Sequence, residues 1–249
     1  MWFPNNKYTN PPVVEAVIDL RVSNSGEVPQ EALATFASAN EGYPECEPLT
    51  EGNAVFVLGD EPSVNIDDKA TGFNFRSTSR HRLLTVLPHR FSIHEFAPYG
   101  GWDNFSQEAL RLWRRYGKQF PGRPLTRIAV RYINKIEIEI DRPMRMEDYF
   151  HTYPAVSDDI TEPMNSFFMR AGYTFPEQRV AGSITQATIQ ASRPGVAAIL
   201  LDIDVWRDHQ FDIGATSDEE LPEALEELRR VKNSLFEGCI TNRLREMIS

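Results

Sequence analysis

The chain has 249 residues, of which 41% are hydrophobic and 25% charged, with a formal net charge of −10. This is globular composition, not that of a disordered chain, and the acidic balance argues against a phosphate backbone as partner unless a local basic patch overrides it. Two cysteines, Cys46 and Cys239, lie far apart and outside any metal or redox spacing, so a disulfide framework and a structural zinc site are not expected.

Met1–Lys7 lacks the basic and apolar stretches of a signal peptide. The longest apolar run, Val196 to Leu201, is six residues, against about 20 for a membrane span. The expectation is a cytoplasmic protein with no membrane segment. At about 100–200 residues per domain, the length fits one large domain or two small ones.

The first element is Pro12 to Val22, where Val14, Ala16, Ile18, Leu20 and Val22 alternate with Glu15, Asp19 and Arg21, the pattern of a half-buried strand. Pro29 opens a helix that continues from Glu31 to Ala39, since its missing N–H would be unpaired there anyway. Residues 40–53 read as loop. Short strands follow at Ala54–Leu58, Gly72–Thr78, Arg82–Leu87 and Phe91–Phe96. Trp102, Phe105, Ala109, Leu112, Trp113, Tyr116 and Phe120 recur at steps that predict an amphipathic helix, stopped by Pro121-Gly122. Arg127 to Ile140 alternates over fourteen residues, with the even positions from Ile128 to Ile140 as the buried set. After a proline-bearing stretch, strands are expected at Phe167–Phe175, Val180–Ala191 and Val196–Arg207. A helix from Pro222 to Ile248 closes the chain, with an apolar stripe from Leu225 to Met247.

This order predicts an α+β fold: a long curved antiparallel sheet with two long helices packed on it. The elements fall into two tandem units, β-α-β4-α over 1–122 and β-(α)-β3-α over 123–249, sharing one sheet. The alternative is one helix-grip domain, a curved sheet folded around the C-terminal helix.

Pro11-Pro12-Val13-Val14-Glu15-Ala16-Val17 and Arg131-Tyr132-Ile133-Asn134-Lys135-Ile136, with Phe91-Ser92-Ile93-His94 and Trp102 between them, carry a resemblance. They resemble a sporadically distributed family of bacterial proteins of about this length and of unknown function. The resemblance implies a bacterial origin and a link to mobile or defence genes. It implies no catalytic residues, because the family has none assigned.

Several constellations have the residue types of chemistry. His81, His89 and His94 on neighbouring strands could form a zinc set, but the spacing is no ligand pattern. Glu137-x-Glu139 has the paired carboxylates of triphosphate-tunnel enzymes, yet Asp141 stands where those have lysine. Asp202 and Asp204 share one strand face and suit a divalent cation or an acid/base pair. Cys46 sits between Glu45 and Glu47, which disfavours a thiolate. Asn134 interrupts an apolar row, and a buried amide needs partners. No nucleotide-loop, nucleophile-elbow or zinc-protease motif is present.

The candidate ligand residues are therefore Arg76, Arg80, His81, His94, Arg131 and Asn134, with the arginines suited to grip an anion. No catalytic residue, metal or cofactor is assigned. The sequence reads as a non-catalytic binding or regulatory protein with a protein or small-molecule partner, and a homodimer is compatible with it. An enzyme acting on an anionic small molecule and a nucleic-acid accessory protein are the alternatives.

Overall fold

The computed structural model describes residues 8–23, 27–38, 42–57, 63–140, 145–157, 159–160, 162, 164–208 and 219–249. In chain order the first seven elements are β1 (Val13–Val22), α1 (Gln30–Ser38), β2 (Glu45–Val57), β3 (Ser63–Arg76), β4 (Arg82–Leu87), β5 (Arg90–Phe96) and α2 (Trp102–Gln119). They are followed by β6 (Leu125–Glu139), a 3-10 turn at Met146–Asp148, β7 (Phe168–Phe175), β8 (Val180–Ile189), β9 (Val196–Asp208), α3 (Leu221–Cys239) and α4 (Asn242–Ile248). The strands form one nine-stranded antiparallel sheet in the order β2-β3-β4-β5-β1-β6-β9-β8-β7. The sheet is open, with β2 and β7 at its edges.

Alternation decides which face each strand buries. On β1, Ala16, Ile18, Leu20 and Val22 point to the face that carries α2 and α3. On β6, Ile128, Val130, Tyr132, Asn134, Ile136 and Ile138 do the same, and all are buried. Thus the expected even-numbered set holds from Ile128 to Ile138. Ile140, just past the end of β6, is 47% exposed and falls outside it.

α2 turns Phe105, Ala109, Leu112, Trp113 and Tyr116 inward. Its aromatic side chains lock onto the sheet and α1. Phe91 meets Trp113 edge-on at 5.7 Å between ring centroids, and Tyr116 meets Phe36 at 6.3 Å. α3 packs on β6, β8 and β9 through Leu225, Leu228 and Val231. Gly182 on β8 allows this approach, because a Cβ there would lie 3.1 Å from a Val205 methyl and 3.4 Å from Leu235.

Three expectations require correction. Residues 40–53 are not all loop: β2 begins at Glu45 and pairs with β3 along its whole length. Pro48 argues against a strand only if the strand is central, and β2 is an edge, where a missing N–H need not cost a ladder bond. β3 likewise begins at Ser63, well before the expected Gly72. Finally, the apolar stripe beyond Leu225 does not mark one continuous helix. The backbone leaves α3 at Ile240, which forms an isolated bridge with Phe150, while His151 N–H donates to the Cys239 carbonyl at 2.8 Å. Thr241 then caps α4, its hydroxyl donating to the Asp148 carbonyl at 2.7 Å. Periodicity survives this break because both helices face the same core, although Met247 is 43% exposed.

The burial of Leu228, 1% exposed, sets a stability expectation. Leu228→Ala should cost about 2–5 kcal/mol in urea denaturation, and Leu235→Ala, only partly buried, clearly less.

Candidate functional site

The two faces of the sheet differ in character. No described helix packs on the face opposite α2 and α3. There the register aligns Glu45, Arg76, Leu83, His94, Val17, Arg131, Asp204 and Ser183 in one transverse row. Three of the candidate residues, Arg76, His94 and Arg131, therefore share a face. At about 4.8 Å per strand, His94 and Arg131 are about 10 Å apart, and Arg76 is about 10 Å farther on.

Ion pairs occupy much of this face. Arg131 grips Asp202 with both arms, at 2.9 and 2.7 Å. Arg127 lies over the Trp206 ring at 4.6 Å, near Asp204 and Asp208 at 3.7 Å each. Asp19 holds Arg21 and Arg90. His94 contacts Glu15 at 2.7 Å and Ser92 at 3.2 Å, and the His94 contact holds the Glu15 carboxyl below its ordinary range. The Asp202–Asp204 pair of the sequence is thus divided between two arginines.

The remaining candidates scatter. Arg80 sits in the β3–β4 turn with φ +61° and bonds Glu45 at 2.9 Å, while His81 beside it is exposed. His81 and His89 flank the β4 strand at its two ends, so the β4–β5 hairpin spreads the three histidines instead of gathering them. Among the described residues no group of three or more His, Cys, Asp or Glu side chains is placed to hold a metal ion. Glu137 accepts from the Ser192 N–H and hydroxyl at 2.8 and 2.7 Å, and Glu139 pairs with Arg193, so both carboxylates tie down the β8–β9 turn.

Asn134, by contrast, lies on the helix-bearing face and lines a cavity of about 540 Å³. The walls come from the segment Tyr8–Val13, the turn Tyr99–Gly101, the first turn of α2, Tyr132 and Asn134 of β6, and α3. Asn134 is 2% exposed and donates from Nδ2 to the Leu201 carbonyl at 2.9 Å. Pro11, Pro12, Val13, Trp102, Tyr132 and Asn134 line this cavity together.

Local bonds place each wall. Lys135 N–H donates to the Pro12 carbonyl at 2.9 Å, and Asn10 N–H to the Ile248 carbonyl at 3.0 Å. Buried Glu95 holds the turn from β5 into α2, bonding Arg82 at 2.6 Å and the Gly100 N–H at 2.8 Å. Gly101 then takes φ +100°, a region that favours glycine, and no side chain caps α2. The first-turn amides of an 18-residue helix, the positive end of its dipole, therefore border the cavity.

α3 contributes the charge. The Lys232 ammonium lies 3.7 Å from the centroid of the Tyr132 ring, and among the described residues it makes no hydrogen bond or ion pair. Lys232 is half-buried and lines the cavity. Burial lowers its pKa to about 7, and Arg229, one turn away, adds to the effect while Glu237 opposes it. Arg229 stands over Trp102 at 5.5 Å and bonds Glu226 at 3.1 Å. Glu237 is already engaged by the Tyr8 hydroxyl at 2.6 Å and Arg245 at 2.8 Å. The hydroxyls of Tyr99 and Tyr132 meet at 2.5 Å, and burial raises both pKa values, so both phenols stay protonated at neutral pH. Such a cavity offers two cationic side chains, open helix amides and aromatic walls to one guest.

No family model and no curated protein matches this chain. Of the sequence candidates, Asn134 lines this cavity; Lys232, Arg229, Tyr99 and Tyr132, which line it too, were not among them. A signal existed: Lys232 falls four residues after Leu228 and four before Phe236, on the apolar side of α3.

Lys232 also predicts a pH effect on stability. Its folded pKa of about 7 lies below the ordinary 10.5, so between these values the unfolded chain holds a proton that the folded one has released. Wild-type stability from this group should rise from pH 7 toward 10 and be lost as pH falls through 7. Urea denaturation across that window should show a rise in the wild type that Lys232→Met lacks.

Proposed function

We propose that this chain is a binding protein that takes a small anionic molecule, of the carboxylate or phosphate class, in the cavity between α2 and α3. The observation that carries the reading is the Lys232 ammonium, which lines the cavity and has no carboxylate bonded to it among the described residues. A half-buried cation without a counter-charge is favoured by one that arrives, and here a ligand would supply it. Arg229 and the uncapped amides of α2 support the same sign of guest, and Tyr99, Trp102 and Phe236 give its body an apolar surface. Asp103, at the rim, is exposed.

The wider reading belongs to this proposal. Two tandem units, 1–122 and 123–249, are supported by strand order: in each half the first strand pairs with the last, and the others run outward. The reading extends to a cytoplasmic bacterial protein of the sporadically distributed family that residues 11–17 and 131–136 resemble. No described helix is long and apolar enough to cross a membrane.

Isothermal titration with inorganic phosphate and with glycolate, from pH 6 to 9, tests the reading. Affinity should fall by up to about tenfold per pH unit above pH 7, as the free lysine loses the proton that binding needs. Lys232→Met should bind more weakly at pH 6 and lose that slope, and Arg229→Ala should weaken binding at every pH. Equal affinities in all three proteins would remove the cavity as the site.

A further inference from the structure

We propose that Lys232 is an imine-forming amine and that the guest is an anionic carbonyl compound, a 2-oxo acid or an aldehyde that bears a carboxylate. This rests on the cavity being the anion site proposed above, and adds that capture is covalent and reversible.

The lining offers two tasks. Arg229, over Trp102, and the first-turn amides of α2 line the cavity and suit a carboxylate. The Lys232 amine projects over Tyr132, held by no carboxylate, and free of hydrogen bonds among the described residues. A lysine that serves only packing or solubility is ordinarily exposed or paired with an acid. Lys232 is half-buried in the cavity wall, and the acid beside it, Glu237, is taken by Arg245 and Tyr8. A place in a cavity wall together with a second cation on the same helix face is an environment that favours a nucleophilic lysine. The charged groups around it are Arg229, Glu237 and Arg245 from the two C-terminal helices and Asp103 from α2, with the Tyr8, Tyr99 and Tyr132 phenols beside them.

The reaction balances without a redox partner. The neutral Nζ gives its lone pair to the carbonyl carbon, and one of its protons passes to the carbonyl oxygen to form a carbinolamine. The second Nζ proton follows, the C–O bond breaks, and water leaves, giving the C=N bond. The Tyr99–Tyr132 pair lines the same cavity, and its phenols remain protonated, able to donate to the departing oxygen and take the proton back.

The test uses the whole chain with glyoxylate as probe and cyanoborohydride to fix any imine, followed by peptide mapping. Lys232 is one of five lysines, the others being Lys7, Lys69, Lys118 and Lys135. The expected result is a carboxymethyl adduct on Lys232, forming about tenfold or more faster than on any other lysine at pH 7, because far more of its amine is neutral. Its rate should level off above pH 7 while the others keep rising. Glycolate, which has no carbonyl, should slow the labelling. Adducts spread evenly over the lysines, or none on Lys232, would overturn the proposal. Glycolate binding that depends on Lys232 but comes without an adduct would overturn the imine and leave the anion site standing. Labelling of Lys232 that glycolate and phosphate do not slow, in a chain that binds neither, would support the amine and sink the anion site. The wild-type map decides these outcomes even if a Lys232 variant fails to fold.

Discussion

The antiparallel pairing of β1 with β6 is the constraint on which the rest of the molecule depends. Residues from Val13 to Val22 meet residues from Asn134 to Leu125, with shifts of register at both ends. Every other strand is added outward from this seam, toward β2 on one side and β7 on the other. Because alternation is strict, the seam also decides which side chains meet the helices. A slip of one residue would turn Ile18, Val130 and Tyr132 out of the core and bring in Asp19, Arg131 and Glu15. Beside the seam, the Arg131–Asp202 bond adds a polar contact that favours the β6–β9 register.

The same seam builds the cavity. Its floor is Tyr132 and Asn134 of β6, its near wall is the chain leading into β1, and α3 crosses above. The protein has a simple way to neutralise Lys232, namely to leave Glu237 free, and it does not use it. Glu237 is instead saturated by Tyr8 and Arg245, which fasten the N-terminal segment and α4 around the cavity. The acid serves closure of the wall, and the base is left to the interior. On a chain with net charge −10, a local site of opposite sign requires this partition.

Much of the architecture was legible because it rests on local periodicity. The rows of β1 and β6 and the stripe of α2 announce their buried faces directly. What escaped was set by long-range pairing. Pro48 and its polar neighbours become a strand only because β3 lies beside them, and the α3–α4 break exists only because Ile240 finds Phe150. The site divides along the same line. Asn134 was visible as a polar residue in an apolar row. Arg76, His94 and Arg131 were legible only as separate candidates; the register puts them on one face, but Asp202 comes from a strand 71 residues away and engages Arg131 there. Lys232 looked like a surface lysine because lysine usually is one; only its phase relative to Leu228 and Phe236 distinguished it.

The bond between Tyr8 and Glu237 spans 229 positions of the chain. Joining such distant segments carries a large closure entropy, which can be met only after the sheet has brought them near. The half made of β1 to β5 and α2 already contains Tyr99, Trp102 and the segment before β1, yet it encloses nothing without α3. The cavity is thus closed only where both ends of the described chain have come together.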